Sequence, residues 1–225
     1  MKLTDGQQRV LELVKTSGLT TDFYWTGGTL LSHYYLHHRR SFDIDLFTEK
    51  KFLHDRLEPF IAALHANFGE NNVTERKIYD RWEYLIDAGE EKIRCDLVYY
   101  NGERKRQAPL ATYNGLLIDS LPDIAANKTM AYIDRNEVKD LFDVYMLMTQ
   151  KKFTAGALLD LVDKKFGSRF SEFTFWSESA KGLKNLETLR PYLLTENPEK
   201  QNDILEDIRH FCFTKGKDLL DRLLK

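Results

Sequence analysis

The stretch Trp25–Phe47, "WTGGTLLSHYYLHHRRSFDIDLF", ends an aromatic run in two glycines and a threonine, and ends a basic run in two aspartates one residue apart. In a strand, residues i and i+2 share a face. Asp43 and Asp45 therefore point one way, while Ile44 and Leu46 point the other, into a core. Two carboxylates side by side repel, and the arrangement needs a counter-charge, most simply a divalent cation. A lone D-x-D is the ordinary polar face of a surface strand, so its neighbours decide its meaning.

The first neighbour is Gly27-Gly28-Thr29, between an apolar strand and a helix. Glycines let the chain turn sharply and let a ligand approach the backbone. A helix start offers free N–H groups and partial positive charge. Together these make a phosphate cradle, with the Thr29 hydroxyl as an added donor. The second neighbour is Asp96 in "KIRCDLV", where Lys92, Arg94, Asp96 and Val98 share one strand face. A third carboxylate on an adjacent strand completes a two-metal site of the kind that clamps attacking and leaving oxygens in phosphoryl transfer. Asp87, at the end of "RWEYLIDA", is the rival for that place. The third neighbour is "NKTMAYIDRNEVKDLFDVYML", where Lys128, Arg135 and Lys139 fall on one face if a single helix runs through. A break at 134–136 undoes that alignment. Asp143, four residues after Lys139, is placed to orient it, and Asp140 to pair with another base. The plain alternative is an ordinary surface ion pair; the functional one is a cationic clamp on a triphosphate.

The rest of the chain supplies the frame. Helix is expected over 5–17, with Val10, Leu11, Leu13 and Val14 inward, over 29–38, and over 52–69 with Gly69 as its stop. Strands are expected at 22–27, 42–47, 72–79, 81–88, 92–100 and 115–118, with turns at Asp80-Arg81 and Ala88-Gly89. From Ser120, a helix cap with Asp123 at the capping-box position, the chain reads as helical: to about 133, then 136–150, 154–166, 171–188 and 199–224. Strands followed by a helical half argue an α+β fold, divided as 1–120 and 121–225.

The 225 residues are 42% hydrophobic, enough for a real core, and no apolar run is long enough to span a bilayer. The N-terminus reads as an amphipathic helix rather than a secretory leader. Cys95 and Cys212 lack any metal-site or disulfide spacing, which fits a reducing, cytoplasmic setting. A net charge of −2 excludes a globally basic nucleic-acid binder. Two local basic runs, "HHRR" at 37–40 and "ERKRQ" at 103–107, are either solvated ends or patches that steer a polyanion. His33, His37 and His38 are expected to pack or face solvent rather than to bind metal.

The ordered set of "GGT", "DID" thirteen residues on, and an aspartate on a later strand resembles the nucleotidyltransferase superfamily of DNA polymerase beta. More narrowly, Trp25–Phe47 with the Asn127–Leu147 stretch resembles the AbiEii/AbiGii-type nucleotidyltransferases, the toxin halves of bacterial toxin–antitoxin and phage-defence pairs. The resemblance covers roughly residues 20–150. It implies a mixed sheet with flanking helices and a helical domain completing the nucleotide site. It implies a Mg²⁺-dependent transfer (EC 2.7.7 type) of NMP from an NTP to an acceptor hydroxyl, on tRNA, another RNA or a protein, and a cognate antitoxin as partner. Asp43, Asp45 and Asp96 then serve as catalytic metal ligands. Gly27, Gly28, Thr29, Lys128, Lys139 and Asp140 serve the nucleotide. The family's glycine motif often carries serine where this chain has Thr29, and the Arg135-to-Lys139 spacing is looser than the family's tightest form. The alternatives are a small-molecule, aminoglycoside-type transferase, favoured by an acidic acceptor pocket, and a catalytically silent binding protein of the same fold. A basic groove including Arg104, Lys105 and Arg106 favours RNA.

Overall fold

The computed structural model describes residues 2–100 and 104–224. The chain divides into two compact units: Met1–His37, Ser41–Arg104 and Ala108–Ser120 form one, and His38–Arg40, Lys105–Gln107 and Leu121–Lys225 form the other.

The first unit is a seven-stranded mixed sheet with helices. It comprises α1 (Asp5–Thr16), β1 (Tyr24–Thr26), α2 (Gly27–Leu30), β2 (Asp43–Thr48), α3 (Glu58–Phe68), β3 (Val73–Ile78), β4 (Arg81–Asp87), β5 (Lys92–Tyr99), β6 (Ala111–Tyr113) and β7 (Leu116–Ile118). The strand order is β3-β4-β5-β2-β1-β7-β6. The β2–β5 and β1–β7 pairs are parallel and the others antiparallel. Alternation in the strands builds the core: Ile44 and Leu46 of β2, Ile93, Cys95 and Leu97 of β5, and Tyr84 and Ile86 of β4 are buried on one face. Val10, Leu11 and Val14 of α1 and Phe60 and Leu64 of α3 are buried too, with the Phe60 ring edge-on to Tyr84 at 5.9 Å. The α1 start is a capping box: Thr4 Oγ1 accepts the Gln7 N–H and Gln7 Oε1 accepts the Thr4 N–H, each at 3.1 Å. The Gln7 amide also donates to the Ser41 carbonyl at 2.8 Å, pinning the approach to β2.

Three local expectations need correction. The hairpin between β3 and β4 turns at Tyr79-Asp80, because Ile78 pairs with Arg81 and Tyr79 takes φ +53°. The helix expected at 29–38 begins at Gly27 and winds as a π-helix over Leu31–Leu36, stopping at His37 with φ +52°. The three-residue β6 was not anticipated; it is too short to show alternation.

The second unit is helical: α4 (Leu121–Asp134), α5 (Val138–Gln150), α6 (Ala155–Phe166), α7 (Glu172–Leu183) and α8 (Pro198–Leu223). Side-chain caps start three of them, from Thr154, Ser171 and Asn197. The segment expected to be helical to 188 ends as α7 at Leu183 and resumes as a 3₁₀ turn over Leu186–Tyr192. Asp123, expected at the capping-box position, is also held from elsewhere in this unit. Its carboxylate accepts the Gln107 N–H at 3.0 Å and pairs with Lys165 at 2.7 Å, all buried or nearly so. No helix among the described residues is long and apolar enough to cross a membrane.

Candidate active site

In the first unit, the register of the sheet assembles the carboxylates. Asp45 lies opposite Asp96 across the parallel β2–β5 pair, and Asp43 lies opposite Arg94. On the outer side of β5, Asp96 faces Glu83 of β4, and Glu83 faces Arg76 of β3. On the inner side Asp45 faces Thr26 of β1. One row across five strands therefore reads Arg76, Glu83, Asp96, Asp45, Thr26. The rival Asp87 sits opposite Lys92, and its carboxylate accepts the Gly89 N–H at 3.0 Å as a turn cap.

Gly27 explains how the turn meets this row. Its φ is +77°, and a Cβ built on it would fall 1.9 Å from Asp45 Oδ2. The position thus needs glycine twice over, for its backbone angle and for the space that the Asp45 carboxylate occupies. Thr29 is fully buried. Its hydroxyl donates to the main-chain carbonyl of Asp43 and lies 2.9 Å from the Ser41 hydroxyl. It ties the helix start to the strand that carries the aspartates.

Arginines provide the counter-charge among the described side chains. Arg94 Nη2 is 2.5 Å from Asp43 Oδ2, and its Nε is 3.7 Å from Asp96 Oδ2. Arg81 Nη1 is 3.3 Å from Asp96 Oδ2, and its Nη2 is 3.8 Å from Glu83. Asp96 is 3% exposed, and its Oδ1 has no hydrogen-bond partner. Burial, then the Asp45 charge, pushes its carboxyl up to about 6 against the opposing pull of Arg94 and Arg81. Among the described residues no group of three or more His, Cys, Asp or Glu side chains is arranged to hold a metal ion. The donor set nonetheless fits a hard divalent cation: it is all carboxylate oxygen, on one face, with one buried oxygen unsatisfied.

The second unit holds a separate buried charge cluster. Asp143 accepts from His38 Nε2 at 2.6 Å and from Arg39 Nε and Nη2 at 2.6 and 2.8 Å, and lies 2.8 Å from Lys128 Nζ. Asp140 takes Arg135 through two nitrogens at 2.7 and 3.0 Å and Lys128 at 3.3 Å. Burial alone would raise the Asp143 carboxyl, but Arg39 and Lys128 hold it well below the usual range. Burial lowers His38, keeping its ring neutral against the pull of Asp143. Asn136, with φ +52°, breaks the chain between α4 and α5, so Lys128, Arg135 and Lys139 do not share one helix. Asp143 therefore orients Lys128 and Arg39 rather than Lys139. Lys139 pairs instead with Glu137 at 3.0 Å and is about a quarter exposed.

Of the basic runs, "HHRR" is split: His38 and Arg39 are buried, Arg39 to 2% exposure, while His37 is exposed and Arg40 is partly so. In "ERKRQ", Glu103 lies outside the described residues, and Arg104 stacks over the Tyr100 ring at 4.6 Å. His33 stacks on Trp25 at 5.9 Å and lies 3.2 Å from the Tyr113 hydroxyl, a packing role. Both cysteines are free and buried. Sequence reasoning did not single out Glu83, Arg81 or Asp119. Buried Asp119 accepts the Thr26 hydroxyl at 2.8 Å beside the row. The parity of β5 already put Arg94 beside Asp96; Glu83 and Arg81 needed the hairpin register.

Known proteins resemble this chain in sequence and in fold. An uncharacterised protein of Aquifex aeolicus (strain VF5) is 29% identical over 168 residues, 73% of this chain and 76% of that protein. A Helicobacter pylori crystal structure described as a candidate nucleotidyltransferase shares the fold at TM-score 0.57 and 17% identity, covering 96% of this chain and 99% of that one. The JHP933 structure from Helicobacter pylori superposes at TM-score 0.57 and 18% identity over the whole of both chains. The model of the family "Nucleotidyl transferase AbiEii toxin, Type IV TA system" matches residues 9–214, and the chain belongs to that family.

Proposed function

We propose that the protein transfers NMP from an NTP to an acceptor hydroxyl, with Mg²⁺, as the toxin of a toxin–antitoxin pair. The observation that carries this reading is the in-register Asp45–Asp96 pair, with Asp43 on the same face and Gly27 packed against Asp45. Asp43, Asp45 and Asp96 would hold Mg²⁺, which when bound offsets charge on the phosphate oxygens. The Gly27-Gly28 turn presents backbone N–H groups to the triphosphate. Asp96 is the carboxylate placed to accept the proton of the attacking hydroxyl. The acceptor oxygen bonds to the α-phosphorus, the bond from that phosphorus to the bridging oxygen breaks, and pyrophosphate leaves. Of the two lysines that the family resemblance assigns to the nucleotide, Lys128 is held by Asp140 and Asp143, and Lys139, paired with Glu137, is the more exposed.

An RNA acceptor suits the site better than a polycationic aminoglycoside. Arg76, Arg81 and Arg94 flank Asp96 on the carboxylate face, and guanidinium groups favour phosphate. Incubation with each α-labelled NTP and Mg²⁺, in parallel with total RNA, cell protein and aminoglycosides, tests this. Label in the RNA fraction is the expected result. Label in aminoglycosides alone overturns the acceptor assignment, and label in none of the three overturns the transferase reading.

A further inference from the structure

Arg94 stands among the acids as a rival to any cation that binds them. Its guanidinium holds Asp43 Oδ2 at 2.5 Å and leans toward Asp96 Oδ2 at 3.7 Å, while its buried Nε has no hydrogen-bond partner. The side chain is 37% exposed, so it can leave without unpacking the core. A divalent cation and a guanidinium cannot both sit against Asp43 Oδ2, because like charges that close repel strongly in a partly desolvated site. Arg81 has a second partner ready in Glu83. Among the described residues the other acids that act on Arg94 are Asp96, Asp45 and Glu83: the first two are themselves ligands in the reading above, and Glu83 is already shared by Arg76 and Arg81. A displaced Arg94 is therefore open to an anion from outside, and the planar guanidinium matches phosphate through paired hydrogen bonds.

We propose that Arg94 is an exchangeable counter-cation, competing with the divalent metal for Asp43 and, once displaced, binding a phosphate group that arrives with that metal. The inference rests on the metal-dependent reading of the same carboxylates. It makes two effects of opposite sign. Removing the guanidinium strengthens binding of the metal alone and weakens binding of the metal with its phosphate ligand. A merely structural role moves both in one direction.

The test uses the full chain and Mn²⁺ as a spectroscopic probe, read by calorimetry and electron paramagnetic resonance, with folding checked by circular dichroism. Wild type, Arg94→Gln, Arg94→Lys and Asp45→Asn are compared with Mn²⁺ alone, with Mn²⁺ plus a non-hydrolysable NTP analogue, and with Mn²⁺ plus a 5′-phosphorylated RNA oligomer. Arg94→Gln is expected to bind Mn²⁺ alone about three- to tenfold more tightly and one of the phosphate ligands about three- to tenfold more weakly, the scale of a partly exposed charged pair. Arg94→Lys falls between in both. Whichever ligand weakens identifies the source of the phosphate. Unchanged or weaker Mn²⁺ binding in Arg94→Gln overturns the proposal, as does wild-type affinity for both phosphate ligands. If Asp45→Asn abolishes Mn²⁺ binding while Arg94→Gln leaves it unaltered, this inference alone fails. If Mn²⁺ does not bind, or binds regardless of Asp45, the metal reading fails and takes this one with it.

Discussion

Asp45 and Asp96 stand directly opposite each other in the parallel β2–β5 register, and the second of them is buried. Burial and the Asp45 charge raise the Asp96 carboxyl from 3.8 to about 6. Between those values the folded state holds a proton that the unfolded chain has released. Stability therefore declines as pH rises through that window and is level above it. Asp96→Asn removes the penalty: at pH 7.5 it should be more stable than wild type by roughly 3 kcal/mol, with the gap closing near pH 4. Urea unfolding of both proteins at the two pH values checks this. A gap of the same size at both would contradict it.

Gly27→Ala should damage both fold and site. The added Cβ meets Asp45 Oδ2 at 1.9 Å, and φ +77° is unfavourable for alanine. A loss of roughly 1–3 kcal/mol is expected, with weakened Mn²⁺ binding because Asp45 must move. Thermal melts paired with Mn²⁺ titration measure the two effects. Unaltered Mn²⁺ affinity would show that Asp45 does not depend on the glycine.

Asp143→Asn should unfold the helical unit far more readily. It leaves Arg39 and Lys128 buried together without their shared carboxylate. The cost of breaking such a pair is about 3–5 kcal/mol. Because the folded Asp143 carboxyl lies well below its unfolded value, its contribution is fully present above about pH 4 and is lost only as pH falls through the folded value. Denaturant midpoints should thus show an Asp143→Asn deficit that is constant between pH 5 and 8.

The two lysines of the family stretch should separate cleanly. Lys128 is buried between Asp140 and Asp143, so Lys128→Ala should lose about 3 kcal/mol or more of stability. Lys139 is partly exposed and, among the described residues, pairs with Glu137, so Lys139→Ala should stay within about 0.5 kcal/mol of wild type. On the functional reading it should raise the KM for NTP. Melting curves and initial rates on the same two variants decide the assignment.

Much of this was legible in the sequence because it follows from strand parity. Asp43, Asp45 and Asp96 share a face whatever the details of the loops, and alternating Ile44 and Leu46 declare the core side. Glu83 and Arg81 were not legible, because their partners depend on the hairpin register. Moving the turn from Asp80-Arg81 to Tyr79-Asp80 changes which residues face each other, and the left-handed Tyr79 leaves no glycine or asparagine to announce it. The fate of Thr29 was hidden for a similar reason, since its hydroxyl bonds to a carbonyl fourteen residues on. Arg39 in the basic "HHRR" run looks solvated until Asp143, 104 residues later, arrives to neutralise it. Local pattern reports faces and turns; it does not report which distant charge completes a buried pair.

On the proposed reading, the Asp43–Asp45–Asp96 face performs metal-dependent nucleotidyl transfer. It is tested most directly by label transfer from α-labelled NTP to RNA by wild type and Asp45→Asn under identical Mg²⁺, with circular dichroism showing both folded. Incorporation by the wild type that depends on Mg²⁺, and falls at least about a hundredfold in the variant, is the predicted result. Equal incorporation by the two proteins, or incorporation that persists with Mg²⁺ chelated, would contradict it.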